Sequence, residues 1–289
     1  MSFLQKVLPK NLPLTRYERK ISDPCGLVEE GLLEEIFTRI TPESKFCVEF
    51  GAGDGRHFSF AKNLIERHGW SALLIEADAG LSEISRAYYD GRRNIHTIRS
   101  LITAENIESL FSRAGVPAKP GFMLIDIDGN DYHVWKAIQH YTPAVVIIEY
   151  NPSYGSGEEF VVDYKPDFVW RRDDYYGASF ASLVKLAAGK GYVLIHCSSD
   201  GDNLVFVRDE FASKFELPRC PADFYQIAQY GKNGRLPNGK GHPVSKINST
   251  ISCRLFCRAR YWFMSPVRKL AKILKVAHAG EHPRIDSGV

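Results

Sequence analysis

The sequence has no run approaching about 20 consecutive apolar residues, so no transmembrane helix is expected. Its first twenty residues, MSFLQKVLPKNLPLTRYERK, hold neither a long apolar stretch nor a small-residue cleavage site, so no secretory signal is expected. There is no internal repeat and no low-complexity linker. Cysteine is sparse: six thiols, at positions 25, 47, 197, 220, 253 and 257, are scattered along 289 residues. Cys47 and Cys197 lie in strand-like apolar runs and read as small buried hydrophobes. Cys253 and Cys257 have C-x-x-x-C spacing without a second Cys/His pair at zinc spacing, so they read as free thiols. The expected compartment is reducing, most simply the cytoplasm. Acidic residues are missing from Phe224 to Gly280, a stretch that carries 11 Lys and Arg. The other 26 basic residues face all 34 acidic ones, so the remainder carries −8. With 44% apolar residues, the chain has material for a core without disulfide staples and is not disordered as a whole.

What is present alternates strands with helices. FCVEF (46–50), ALLIE (72–76), NIHTI (94–98), FMLID (122–126) and AVVIIE (144–149) read as buried strands. Helical patterns at 57–68, 81–89, 105–114 and 132–140 fill the gaps, the mark of parallel strands joined by crossovers. A helix over 178–190 then leads to YVLIHC (192–197) and NLVFV (203–207). Only SSDGD separates that last pair, which is too short for a parallel crossover, so the pair is an antiparallel hairpin. Seven strands with a reversed final one predict the sheet of the class I methyltransferases: Rossmann-like α/β, order 3-2-1-4-5-7-6, last strand antiparallel. The predicted organisation is an N-terminal helical extension (1–44), a methyltransferase domain (45–215) with an insertion at about 151–176, and a basic C-terminal extension (216–289).

The turn after the first strand is Glu49-Phe-Gly51-Ala-Gly53-Asp54-Gly55. Glycines at every second position let a backbone turn sharply and approach a ligand with no Cβ between. A dinucleotide fingerprint would place its third glycine at position 56, where this chain has Arg56. The acidic-x-G-x-G-x-G pattern fits an amino acid tail and a ribose better than a pyrophosphate. Glu76 ends the second strand, where a carboxylate can accept both hydroxyls of a cis-diol. That spacing suits NAD or S-adenosylmethionine, and only the loop favours the methyl donor.

VEFGAGDG, LLIEAD, MLIDIDGNDYHVWKAI and VVIIEYN occur in the order, and at the strand ends, of FkbM-type S-adenosylmethionine-dependent methyltransferases. The chain resembles that family over about residues 45–210. It departs at Asp128, where Glu is common. The resemblance implies transfer of a methyl group to a hydroxyl of a sugar, glycan or natural product. Candidate cofactor-binding residues are Glu49, Gly51, Gly53, Asp54, Gly55, Glu76, Ala77, Ser100, Leu101 and Asp126. Ser100 and Leu101 are placed at the adenine edge only by their position after the third strand, and Thr103-x-x-Asn106 also reads as a helix start.

Removing a hydroxyl proton calls for a base or a metal ion. Asp126, Asp128 and Glu149 sit at strand carboxyl ends, where open α/β sheets bind ligands. They are candidate catalytic residues together with His133. They are also candidate ligands for Mg2+ or another divalent cation, being hard oxygen donors. Against this, Asp126 and Asp128 also suit a helix cap and a turn, and His133 also suits a helix surface. The aromatic insertion 151–176 is long for a connection and reads as a binding loop, with Asn151, Tyr154, Asp174, Tyr175 and Tyr176 as candidate acceptor contacts. A packed surface excursion is the other reading.

In the basic tail, Ser265 and Pro266 form a helix start. Val267, Leu270, Ile273, Leu274 and Ala277 then share one face, with Arg268, Lys269, Lys272 and Lys275 mainly on the rest. Such a segment suits an anionic membrane surface at the inner face, or docking on the acidic body or on a second copy in a homodimer. Nucleic acid is disfavoured, because nothing resembles a base-reading module. The alternative to an enzyme is a non-catalytic methyltransferase-like binding or scaffold module.

Overall fold

The computed structural model describes residues 13–18, 30–171, 175–199 and 201–226. Asp174 and the basic stretch with its apolar stripe at 267–277 lie outside the described residues.

Seven strands form one sheet: β1 Phe46–Phe50, β2 Ser71–Glu76, β3 Ile95–Arg99, β4 Phe122–Ile125, β5 Val145–Glu149, β6 Tyr192–Cys197 and β7 Asn203–Arg208. Their order is β3-β2-β1-β4-β5-β7-β6. β1 to β5 pair in parallel, while β7 runs antiparallel to both β5 and β6. This is the Rossmann-like class I methyltransferase topology.

Each central strand is buried on both faces, which its unbroken apolar run requires. Alternate residues therefore feed two cores. On one face Val48, Ile75, Met123, Val146 and Phe206 pack against α4 (Ile107–Arg113), α5 (Asp131–Ala137) and α6 (Phe180–Gly189). On the other, Cys47, Leu74, Leu124, Ile147 and Val205 pack against α1 (Glu30–Arg39) and α2 (Ala61–His68). α3 (Ala79–Tyr88) joins β2 to β3. The buried face of α1, with Leu32, Leu33 and Ile36, shares this second core, so α1 packs on the α/β body. Leu14 joins the same core, and Glu18 reaches the far end of the sheet, where its carboxylate meets His196 Nε2 of β6 at 2.7 Å.

α2 begins at Ala61, four residues later than the periodicity from His57 predicts. The cause is the turn before it, where Gly51, Gly53, Gly55 and Phe58 all have positive φ and cannot belong to a right-handed helix.

Candidate functional site

The β1–α2 loop is held by three glycines with three different duties. A Cβ on Gly51 would lie 2.1 Å from the Asp126 carbonyl oxygen, so this glycine lets the loops after β1 and β4 touch. A Cβ on Gly55 would meet Ser85 Oγ at 2.6 Å and the Tyr89 ring at 2.9 Å, so it seats the loop on α3, where Tyr89 donates to the Gly55 carbonyl at 2.8 Å. Gly53 faces open space: nothing lies within 4 Å of a Cβ built there. It is the one glycine of the three with room beside it for a ligand.

Glu76 is turned toward that space. Its Oε2 accepts from the Gly53 amide at 2.8 Å and its Oε1 from the Asp78 amide at 2.6 Å. One side chain thus fixes both loops, and each oxygen keeps a lone pair for a further donor. Asp78 in turn caps α3 through the amides of Gly80 and Leu81. Ala77 beside it is exposed.

Glu49 and Asp54 are placed differently. The Glu49 carboxylate is buried and accepts from Ser59 Oγ at 2.7 Å and from the Phe60 and Ala61 amides at 2.8 and 3.3 Å. It caps the start of α2, a buttress behind the loop. Burial, opposed by those bonds and helped by the Asp126 charge, pushes its carboxyl up to about 7. Asp54 accepts from the Arg56 and His57 amides and pairs with His57 Nδ1 at 2.6 Å. Partial burial raises the Asp54 carboxyl, but these bonds outweigh it and hold the group below its usual range.

After β3, Ser100 donates its amide to the Glu76 carbonyl, which brings it beside the end of β2. Leu101 follows, 52% exposed. Thr103 and Asn106 exchange backbone-to-side-chain bonds at 2.9 and 3.2 Å, so this motif is the start of α4.

Asp126, Asp128 and Glu149 each offer a carboxylate oxygen within 4.8 Å of the others. Burial, then the charges of Asp126, Asp128, Asp131 and Asp202, push the Glu149 carboxyl well above the usual range. Asp128 reaches the cluster from a left-handed backbone, φ 57°. Asp131 is the residue that the sequence reading missed. It is 1% exposed, and its two oxygens accept from the Ile127 and Gly129 amides, both at 2.8 Å, tying the β4–α5 loop into a knot. Its signal was the Asp128-x-x-Asp131 spacing at a helix start, a pattern that also serves ordinary caps.

The insertion is not free. His133 Nε2 faces the Val162 carbonyl at 2.7 Å, so that nitrogen carries a proton and binds the insertion. Asn130 donates to the Lys165 carbonyl at 2.7 Å, and Phe168 packs so closely on Gly129 that a Cβ there would lie 2.2 Å from the ring. Tyr164 donates to Glu105 Oε2 at 2.5 Å and accepts from the Ala104 amide at 3.1 Å. The segment therefore spans from β5 to the start of α4, over the β4–α5 loop. Asn151 is fully buried and holds the insertion's base together by donating to the Tyr176 carbonyl at 2.9 Å. Tyr176 is buried near Trp170, Tyr154 stacks on Phe160 at 4.2 Å, and Tyr175, 45% exposed, donates to Asp163 at 2.7 Å.

No protein-family model and no curated protein matches the chain. Solved structures do. They include the CurJ carbon methyltransferase (9% identity, 62% of this chain and 52% of that one, TM-score 0.41). The N-terminal domain of EvdMO1 in the presence of SAH and D-fucose matches at 14% identity, over 65% of this chain and 83% of that one, TM-score 0.42. An O-methyltransferase family protein from Burkholderia thailandensis matches at 9% identity, over 60% and 52%, TM-score 0.39. The chain thus spans about half the length of the first and third. At these scores the likenesses add no argument to the sheet topology.

Proposed function

We propose that this chain is an S-adenosylmethionine-dependent methyltransferase acting on a hydroxyl oxygen of a sugar, glycan or natural product. The observation that carries the donor assignment is the Glu76 carboxylate on the Gly53 amide, beside the one loop glycine that faces open space. Glu76 offers two oxygens to a ribose diol, Gly53 gives the backbone its close approach, and Ser100 and Leu101 border the same end of the sheet. The donor supplies an electrophilic methyl group. The chain's own residues orient the acceptor and take its proton.

Asp126 and Asp128 are the proton-accepting candidates, with Glu149 beside them as a third carboxyl whose affinity for a proton burial raises. His133 serves by anchoring the insertion. The three carboxylates also fit a divalent cation, whose charge would displace the Glu149 proton; Mn2+ affinity should then rise with pH and vanish in Glu149→Gln. Asn151, Tyr154 and Tyr176 act by shaping the insertion, and exposed Tyr175 is the acceptor contact among the described candidates.

Calorimetry with S-adenosylhomocysteine and with NADH tests the reading. Binding of the first alone supports it. Binding of neither turns the reading to a scaffold module, and binding of NADH alone turns it to a dehydrogenase.

A further inference from the structure

β6 is the last strand of the sheet, and no described strand pairs with its outer edge. Beside it lies an apolar groove of about 240 Å³. Its walls are Val184 and Ala188 of α6, Tyr192 and Leu194 of β6, and Leu217 and Phe224 of the segment after β7. Leu217 is 40% exposed, one of five large apolar side chains exposed among the described residues. A largely apolar trough along a sheet edge invites cover, since its open strand is also a template for unwanted pairing.

The chain itself leads away from this groove. Phe224 is on its wall, and the described backbone ends two residues later at Gln226. That exit is anchored: Tyr150 donates to the Gln226 carbonyl at 2.5 Å, and Tyr225 to the Tyr154 carbonyl at 3.0 Å. Sixty-three residues follow, with their apolar stripe starting at Val267. A flexible linker of that length, 226 to 267, has a root-mean-square reach of about 35 Å, enough to return to the groove.

Charge points the same way. The stretch from Ile227 to Gly280 carries 11 basic residues and no acidic one. The segment that borders the groove, residues 209–223, exposes Asp209, Glu216 and Asp223 against Lys214 and Arg219, with Glu210 already paired with Arg208 at 2.6 Å. A tethered occupant also competes at millimolar effective concentration, above what a second copy or a vesicle ordinarily offers.

We propose that the groove between α6, β6 and the segment after β7 is the docking site for this chain's own apolar stripe, Val267 to Ala277. The stripe supplies Leu270, Ile273 and Leu274 to the apolar trough, and its lysines face the acidic rim. This holds whatever reaction the opposite end of the sheet performs.

Hydrogen–deuterium exchange of the full chain tests it. Residues 265–280 should exchange at least about tenfold more slowly than an unstructured peptide, and β6 should share that protection. Leu217→Glu, at an exposed site, should release 265–280. Leu270→Glu lies outside the α/β body, so it cannot unfold that body, and it should deprotect β6 and residues 217–224. Unprotected 265–280 in the full chain would overturn the proposal, as would protection that survives both variants. Protection that rises with protein concentration together with a doubled mass would assign the groove to a second copy. Protection gained only with phosphatidylglycerol vesicles would assign the stripe to a membrane surface.

Discussion

Gly51 and Gly53 share a left-handed backbone and differ in what a side chain would meet. Gly51→Ala drives a methyl into the Asp126 carbonyl. The strained φ and the overpacking should together cost about 2–4 kcal/mol of stability, read by urea unfolding. Gly53→Val bears the strain, but its Cβ has nothing within 4 Å. It should stay folded and lose S-adenosylhomocysteine binding in calorimetry, because its branches occupy the space beside Glu76. A Gly53→Val protein that is folded and still binds would place the ligand elsewhere. Glu76→Ala removes a charged acceptor and should weaken the same binding by about 1–3 kcal/mol. Glu76→Gln, which keeps one acceptor oxygen, should lose less.

At the scale of elements, the insertion decides how the carboxyl edge of the sheet is covered. Its 26 residues carry no helix or named strand of their own among the described residues, and are ordered by what they touch. The antiparallel bridge of Val161 with Ala178 closes the base, while His133, Asn130 and Tyr164 hold the span. Tyr164→Phe removes the bonds to Glu105 and Ala104 and should loosen the span by about 0.5–1.5 kcal/mol. Limited proteolysis within the exposed stretch 163–169 should then quicken by about 2–10-fold with global unfolding unchanged. Equal cleavage in both proteins would mean that the roof is held by packing alone.

Across the whole molecule, the carboxyl edge gathers buried acids, and their titration couples to folding. Glu49 and Asp131 are each pushed up to about 7, burial being the largest cause for both. A raised carboxyl favours the protonated folded state. Its contribution is complete below the unfolded value, near 4.5, and is lost as pH rises toward 7. Each group is worth about 3 kcal/mol over that window. Urea midpoints should therefore fall from pH 5 to pH 7.5, and Glu49→Gln, a stand-in for the protonated acid, should flatten part of the fall. A midpoint that stays level or rises across the window in the wild type would overturn the raised values of Glu49 and Asp131, because the lowered carboxyls Glu18 and Asp54 change stability only below their unfolded values of 4.5 and 3.8.

Strand number and the final reversal were legible in the chain because each follows from local pattern, while the strand order came from the likeness to the class I methyltransferase sheet. Unbroken apolar runs need burial on both faces, and a five-residue link cannot cross a sheet. The glycine loop and Glu76 were legible for the same reason: a positive φ and a strand-end carboxylate are properties of single positions. The remainder depended on which neighbours arrive from elsewhere. Glu49 and Glu76 both lie near the carboxyl ends of neighbouring strands, yet one caps α2 in the core and the other is turned toward the space beside Gly53. His133 and Asn151, read from the sequence as candidate site residues, also hold carbonyls of the returning insertion, at Val162 and Tyr176, which no local pattern announced. Asp131 carried only the spacing of an ordinary helix cap, and its weight came from the β4–α5 loop closing on its two oxygens. Periodicity along a chain sets which side chains are buried, but a polar group's role is set by the donors and acceptors that tertiary structure brings to it, and those are distant in sequence.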